Sequence, residues 1–309
     1  MMKLGIIGTG RVGSQILTDI QYLNLFTDII LIDTNQNVAE GEALDHRHAQ
    51  GLSTTNHINV KSGSYDDLKD ASVIVVTASA PMNPNMPDRT ALTKNNISVV
   101  ECIMTQISKV TKEAIIILVT NPVDAMTYLA SQTEGYPRHK IIGTGTLLET
   151  ARFKTLIADH YNIDPKSVEA FVIGEHGQHA VPVWSKVSIA GMTLDEFEGI
   201  SGKERIDKDF IGEQIDQVSF NVLRNKGWTN AAISKSTVEI IRSIVLNEKS
   251  IFPLTSLNQK EQVAISLPTL INDEGIVQVY DIHLSDDEQK RFNNAKNFIK
   301  KTVHIKYEL

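Results

Sequence analysis

Lys3-Leu4-Gly5-Ile6-Ile7-Gly8-Thr9-Gly10-Arg11-Val12-Gly13 opens the chain as a short apolar strand running straight into Gly8-x-Gly10-x-x-Gly13. Apolar residues at Val12, Ile16, Leu17 and Ile20 continue it as a helix. In such a strand–turn–helix the first glycine makes the tight turn and the second lets backbone approach a pyrophosphate. The third lets the helix pack on its strand, and the phosphates sit at the helix's positive end. A glycine motif alone is weak, so its context decides. A second apolar strand, Ile29-Ile30-Leu31-Ile32, ends in Asp33, twenty residues after Gly13, where an acid can bond a ribose 2′-hydroxyl. Thr34-Asn35-Gln36-Asn37 follow with no basic residue for a 2′-phosphate, so the expected cofactor is NAD rather than NADP.

Outward from that unit, residues 4–8, 29–33, 58–62, 73–78 and 115–120 read as strands. They are continuous apolar runs, the pattern of a parallel sheet covered on both faces. Helical spacing alternates with them, as at Ile97, Val100, Met104 and Ile107. The expected fold class is α/β: a Rossmann-type doubly wound parallel sheet over residues 1–145, then an α+β catalytic domain over 146–309. Ligands gather outside the carboxyl ends of such strands. The residues expected to touch the cofactor are therefore Gly8, Gly10, Arg11, Val12, Gly13, Asp33, Ala78, Ser79, Ala80, Thr120 and Asn121. Beyond residue 145 the expectation is strands over 168–173 and 183–189, a charged helix over 203–223 and a long helix over 230–247. A hairpin should join 262–270 to 275–279 about Asn272-Asp273-Glu274-Gly275, and Ser285-Asp286-Asp287-Glu288 should cap a final helix.

Composition sets bounds. A chain of 309 residues allows about two domains and a sizeable core. A net charge of -7, with no basic run, argues against nucleic acid and anionic membranes as partners. One cysteine, Cys102, rules out an internal disulfide framework and fits a reducing cytoplasm. It falls among Ile103 and Ile107 and reads as a packed thiol. No apolar run approaches the length of a membrane span, and Met1-Met2-Lys3 leads directly into a strand rather than a signal peptide.

The chemistry is concentrated in two places. Glu149 and Arg152 stand three residues apart at a helix start, on one face, so both can point into one pocket. Twenty-four residues past Arg152 comes Gly174-Glu175-His176-Gly177. A guanidinium offers parallel donors to a substrate carboxylate, and a carboxylate beside an imidazole fixes its tautomer and favours its protonated form. The set suits a reaction in which arginine holds a carboxylate while histidine moves a proton.

With those residues in place, the chain resembles the L-lactate and malate dehydrogenase family over nearly its whole length, most of all its L-2-hydroxy acid branch, which includes L-2-hydroxyisocaproate dehydrogenases. The resemblance rests on GIIGTGRVG, EGEALDHRHA, PMNPNMPDRTALTKNN, VTNPVDAMTY, HKIIGTGTLLETARF, GEHGQHAVPVWS and NKGWTNAAI, in that order. It implies that His176 is the proton donor and acceptor, with Glu149 its partner, and that Arg152 anchors the substrate carboxylate. It implies further that Arg89 closes in with a lid to polarise the carbonyl and that Asn121 bonds near the carbonyl and the nicotinamide. Thr229 should line the substrate pocket and Ile233 should pack against the nicotinamide. The implied partners are a small 2-keto or 2-hydroxy acid and further copies of the chain, as a dimer or tetramer.

Two departures stand out. Glu149 occupies a position where the family usually has aspartate, and the lid is one residue longer than usual. Counted from the lid's start the substrate-discriminating position is Met82; counted back from Arg89 it is Asn83. In allosteric bacterial members, fructose 1,6-bisphosphate meets an arginine two residues after the anchor and a histidine seven before the catalytic one. Those positions hold Lys154 and Glu169 here. The nearest alternative is malate dehydrogenase, which needs a lid arginine that neither Met82 nor Asn83 supplies. A more distant one is an NAD- and metal-dependent glycosidase. His46-Arg47-His48, after Glu42 and Asp45, falls in a segment that the resemblance assigns to a helix at a subunit interface, and His176-x-x-His179 lacks an apparent third ligand, so no metal is expected.

Overall fold

The computed structural model describes residues 2–53, 57–80 and 89–304, excepting the side chains of 89–92 and 216. The first half alternates strand and helix: β1 (Lys3–Ile7), α1 (Arg11–Gln21), β2 (Asp28–Ile32), α2 (Gln36–Ala49), β3 (Asn59–Ser62) and β4 (Val73–Val76). It continues with α3 (Arg89–Val110), β5 (Ile115–Leu118), α4 (Val123–Ala130), β6 (Ile141–Gly143) and α5 (Leu147–Tyr161). Then come the short strands β7 (Val168–Glu169), β8 (Val172–Gly174), β9 (Ala180–Pro182), β10 (Ser188–Ile189) and β11 (Met192–Thr193), and the helices α6 (Leu194–Ile200), α7 (Lys208–Lys226) and α8 (Ala231–Val245). The last elements are β12 (Ile251–Asn258), β13 (Val263–Asn272), β14 (Gly275–Val279) and α9 (Asp286–His304).

Six parallel strands run in the order β3-β2-β1-β4-β5-β6, with the reversal of strand order between β1 and β4. That order is the doubly wound one, and its switch point is where a dinucleotide crevice forms. Every residue of Val73-Ile74-Val75-Val76 and Ile115-Ile116-Ile117-Leu118 is buried, as β-branched runs require when helices cover both faces. The sheet does not end with the first half. Thr255 on β12 pairs antiparallel with Gly143 on β6, and β12, β13, β8 and β9 extend it into the second half.

Several expectations need correcting. The stretch read as a strand over 183–189 is a single helical turn, Trp184–Lys186, ahead of the two-residue β10. Val183 and Val187 are both buried, and their four-residue spacing is helical rather than alternating. Residues 168–173 split into β7 and β8, which belong to different sheets. The charged helix starts at Lys208, where the Asp207 side chain accepts the Phe210 amide at 3.0 Å, and ends at Gly227, whose φ of +84° favours glycine. β12 went unread because Pro253 interrupts it. Proline is tolerated there because β6 pairs with β12 only at Thr255, leaving that edge without a ladder at Pro253. Cys102 is exposed, not packed: α3 turns Val100, Ile103, Met104 and Ile107 inward and leaves residue 102 outside.

Candidate active site

The ends of β1, β2, β4 and β5 meet as the strand order demands. The Gly8 amide donates to Ile32 O at 2.8 Å, the Ala78 amide to Ile7 O at 3.0 Å, and the Thr120 hydroxyl to Ala78 O at 2.7 Å. Gly8 has φ +95°, and a Cβ there would meet the Ala78 amide nitrogen at 2.5 Å. A Cβ on Gly13 would collide with the Gly8 carbonyl oxygen, so the helix approaches the turn this closely only because Gly13 lacks a side chain. At Gly10 the same construction meets open space, leaving backbone bare in front of the α1 N-terminus. The first turn of α1 carries no acidic residue to repel a phosphate. A pyrophosphate fits this cradle. Val12 and Ile233 pack on one core cluster, so α1 and α8 flank the same crevice.

Asp33 is held on the far side. Its Oδ2 accepts the Thr9 amide at 2.8 Å and hydroxyl at 3.1 Å, and Oδ1 accepts the Asn35 amide at 2.9 Å. Burial opposes its ionisation, but these donors win and hold the carboxyl below the usual range. Asn96, fully buried on α3, was not singled out in the sequence. Its Oδ1 accepts the Ala80 amide at 2.7 Å, its Nδ2 donates to Asn121 O at 2.7 Å, and the Ser79 hydroxyl lies 3.2 Å away. It fastens the loop after β4 to the loop after β5. A polar residue amid the apolar face of Ile97 and Val100 was its only signal.

Glu149 and Arg152 lie on the first two turns of α5, and Oε1 of Glu149 bridges them to the histidine. It stands 3.3 Å from Arg152 Nη1 and 3.1 Å from His176 Nδ1. The glutamate's extra methylene preserves the approach to the imidazole, but the contact is oblique for a hydrogen bond, and Oε2 has no hydrogen-bond partner among the described residues. With Nδ1 committed to Glu149, Nε2 is the ring nitrogen left to act on a substrate. Burial alone would depress the imidazole pKa; the Glu149 carboxylate, with Asp124 and Glu175 behind it, overrides burial and raises it to about 9. Burial likewise opposes ionisation of Glu149, and His176 and Arg152 reverse that. The pair is therefore carboxylate and imidazolium near neutral pH.

Other expected residues are placed less directly. Thr229 is exposed between α7 and α8, beside Trp228, whose ring lies 4.0 Å beneath the Arg11 guanidinium. Asn121 is exposed, and its Oδ1 accepts the Val123 amide at 3.3 Å. The Arg89 side chain, Met82 and Asn83 lie outside the described residues, and so does the lid over residues 81–88. Asp124 is the second residue missed from the sequence: 2% exposed on α4, it accepts the His176 amide at 2.7 Å. Its signal was an acid inside a buried apolar run, Val123 to Met126. His46 bonds Gln21 at 2.6 Å and faces Glu42 at 3.7 Å, and no cluster of three metal-ligating side chains occurs among the described residues.

Comparison with known proteins agrees with this geometry. The lactate/malate dehydrogenase NAD binding domain matches residues 2–143, and the lactate/malate dehydrogenase alpha/beta C-terminal domain matches residues 146–308. The chain is 39% identical to L-lactate dehydrogenase 2 of Clostridium acetobutylicum over 307 residues, 97% of this chain and 96% of that one. It is 36% identical to L-lactate dehydrogenase of Selenomonas ruminantium, with the same coverage. Among solved structures it superposes on a lactate dehydrogenase enzyme from a Medee basin deep-sea metagenome library with a TM-score of 0.93 at 27% identity, covering 99% of both chains. It superposes on the ligand-bound minor L-lactate dehydrogenase of Enterococcus mundtii with a TM-score of 0.91 at 28% identity, covering 98% of this chain and 97% of that one.

Proposed function

The chain belongs to the lactate/malate dehydrogenase family of NAD-dependent oxidoreductases acting on the CH–OH group of 2-hydroxy acids, and on that premise we propose how its own residues divide the work and which acid they select. The observation that carries the reading is the single Glu149 oxygen within 3.3 Å of both Arg152 and His176. It supports the reading that the guanidinium and the protonated imidazole act on one substrate.

Residues 1–145 hold the cofactor and 146–309 the acid. NADH, when bound, supplies the hydride that reduces the keto carbon. Arg152 grips the substrate carboxylate, bidentate and in plane. His176 Nε2 hands its proton to the carbonyl oxygen as negative charge builds there, and Glu149 stabilises the imidazolium until that moment. Arg89, delivered by residues 81–88, polarises the same oxygen and excludes water, while Asn121 orients it and Thr229 lines the pocket. In the oxidative direction neutral His176 takes the hydroxyl proton.

Neither Met82 nor Asn83 carries charge, so the second carboxylate of oxaloacetate would be buried unpaired at a cost on the order of several kcal/mol. Met82 is flexible and apolar, and the longer lid leaves room beyond a methyl group. Each added buried methylene contributes roughly 0.8 kcal/mol. Medium aliphatic 2-keto acids such as 4-methyl-2-oxopentanoate are therefore the preferred substrates, pyruvate is accepted and oxaloacetate is poor. The test is kcat/KM for these three with NADH. Oxaloacetate ranking first would overturn the assignment, and pyruvate alone at high efficiency would make the chain a plain L-lactate dehydrogenase. The enzyme works in the cytoplasm as a dimer or tetramer, a reading supported by apolar Val38 and Leu44 standing exposed on α2 and by the absence, among the described residues, of a helix able to cross a membrane.

A further inference from the structure

Among the buried acids that the mechanism above leaves unused, Asp124 is the most deeply buried. Asp124 Oδ2 accepts the His176 main-chain amide at 2.7 Å across 52 residues of sequence, and Oδ1 accepts the Thr255 hydroxyl. The Thr255 oxygen in turn lies 2.9 Å from Ser266 Oγ, its register partner across β12 and β13. Ser266 is also the residue of β13 that pairs with Gly174, two residues before His176. Both donors aimed at residue 124 need acceptors. An amide side chain would offer one acceptor and one donor, whereas a carboxylate offers two acceptors. Its position in the first turn of α4 favours a negative charge. We propose that Asp124 is a positioning residue for the reaction: it fixes the main chain at His176 and places a negative charge behind the imidazole, on the side away from the substrate.

The charged groups facing that imidazole can be named by element. Glu149 and Arg152 come from α5, Asp124 from α4, and Glu175 from the histidine's own loop. Glu175 is engaged by the His179 amide at 2.8 Å, with His179 Nδ1 at 3.5 Å. α9 brings Phe298, Ile299 and Thr302 to the same place, and none of these is charged. Removing the Asp124 charge therefore leaves Glu149 as the only directly facing anion from another element among the described residues. Burial pushes the Asp124 carboxyl up to about 7 against the pull of its two donors, so its charge is sensitive to the loss of either one.

The inference rests on reading His176 as the proton donor. Asp124→Asn keeps an acceptor for the His176 amide and removes the charge. In keto-acid reduction, which needs the imidazolium, the alkaline limb of the kcat/KM profile should move to lower pH by about one unit, with kcat reduced roughly tenfold. NADH affinity, read by fluorescence, should stay within about twofold, because the cradle is untouched. An alkaline limb that does not move overturns the proposal whatever kcat does. If Asp124→Asn fails to fold, Thr255→Val serves instead: losing the hydroxyl makes Asp124 a poorer anion, so the limb should move the same way, and an unmoved limb again overturns it. His176→Asn, assayed alongside, separates the two claims. Near-normal turnover there sinks the reading of the site, while an inactive His176→Asn beside an unshifted Asp124→Asn sinks only the role of Asp124.

Discussion

At the scale of single residues, the proposed mechanism puts the proton chemistry on His176 and substrate anchoring on Arg152. His176→Ala should lower kcat by roughly 10²–10⁴-fold while NADH still binds, since a general acid contributes about that much and the nucleotide cradle is built elsewhere. Stopped-flow turnover together with NADH titration separates the two effects. The pH dependence has a defined sign. With the imidazole held at about 9, keto-acid reduction should be flat below that value and fall above it, and hydroxy-acid oxidation should rise through it. Profiles of kcat/KM in the two directions should cross there; a reduction limb near the ordinary histidine value would mean Glu149 does not act on the imidazole. Arg152→Lys should chiefly raise KM for the keto acid, because a point charge cannot reproduce a planar fork. An unchanged KM would remove Arg152 from the anchoring role. These residues were legible because three-residue helical spacing and a glycine-flanked histidine are local signals. Asp124 and Asn96 were not, because their partners lie 52 and 16–25 residues away and the sequence shows only a polar letter in an apolar run.

At the scale of elements, helices carry the site on one face and the core on the other. α5 presents Glu149 and Arg152 to the pocket while Phe153, Ile157 and Ala158 are buried behind them, and Phe153 meets Trp184 edge-on at 4.6 Å between ring centres. α3 works through Asn96, which ties the loops after β4 and β5 together. Asn96→Ala would strand the Ala80 amide and the Asn121 carbonyl, and because Ala80 is half-buried and Asn121 exposed the loss for each should fall at or below the low end of the roughly 1–3 kcal/mol typical of a buried unpaired group. Urea denaturation should show that loss, and KM for NADH should rise with it; stability and KM both unchanged would mean water replaces the side chain. The long parallel strands and the final helix, with its Ser285–Glu288 box, could be read in advance because burial on both faces and capping leave periodic traces. The two-residue strands β7, β10 and β11 left none, being too short to carry a period. β12 was hidden by Pro253, whose tolerance depends on the partner strand stopping short.

At the scale of the whole molecule, one sheet passes from β6 into β12 and so spans both halves of the chain. A bisphosphate switch is not expected. Lys154 Nζ lies 3.8 Å from Glu169 Oε2, so the places where allosteric relatives would hold phosphates carry an ion pair whose glutamate repels an anion. Assays at subsaturating pyruvate should give the same KM with and without fructose 1,6-bisphosphate, and a large drop would refute this. The overall architecture was readable because strand order follows from the alternation of strand and helix. The passage of the sheet between the halves was not, since a single ladder pair, Gly143 with Thr255, carries it across. The Arg11–Trp228 stack lies on the cofactor-side flank of that junction, and Asn230 Nδ2 reinforces it by donating to Gln15 Oε1 at 3.1 Å. Tryptophan emission overlaps the absorption of reduced nicotinamide. Of the chain's two indoles, Trp228 borders the glycine loop and Trp184 meets Phe153 of α5 edge-on. A dinucleotide seated on the glycine loop as proposed should therefore quench Trp228, so the dimming of its emission should read NADH binding without any added label.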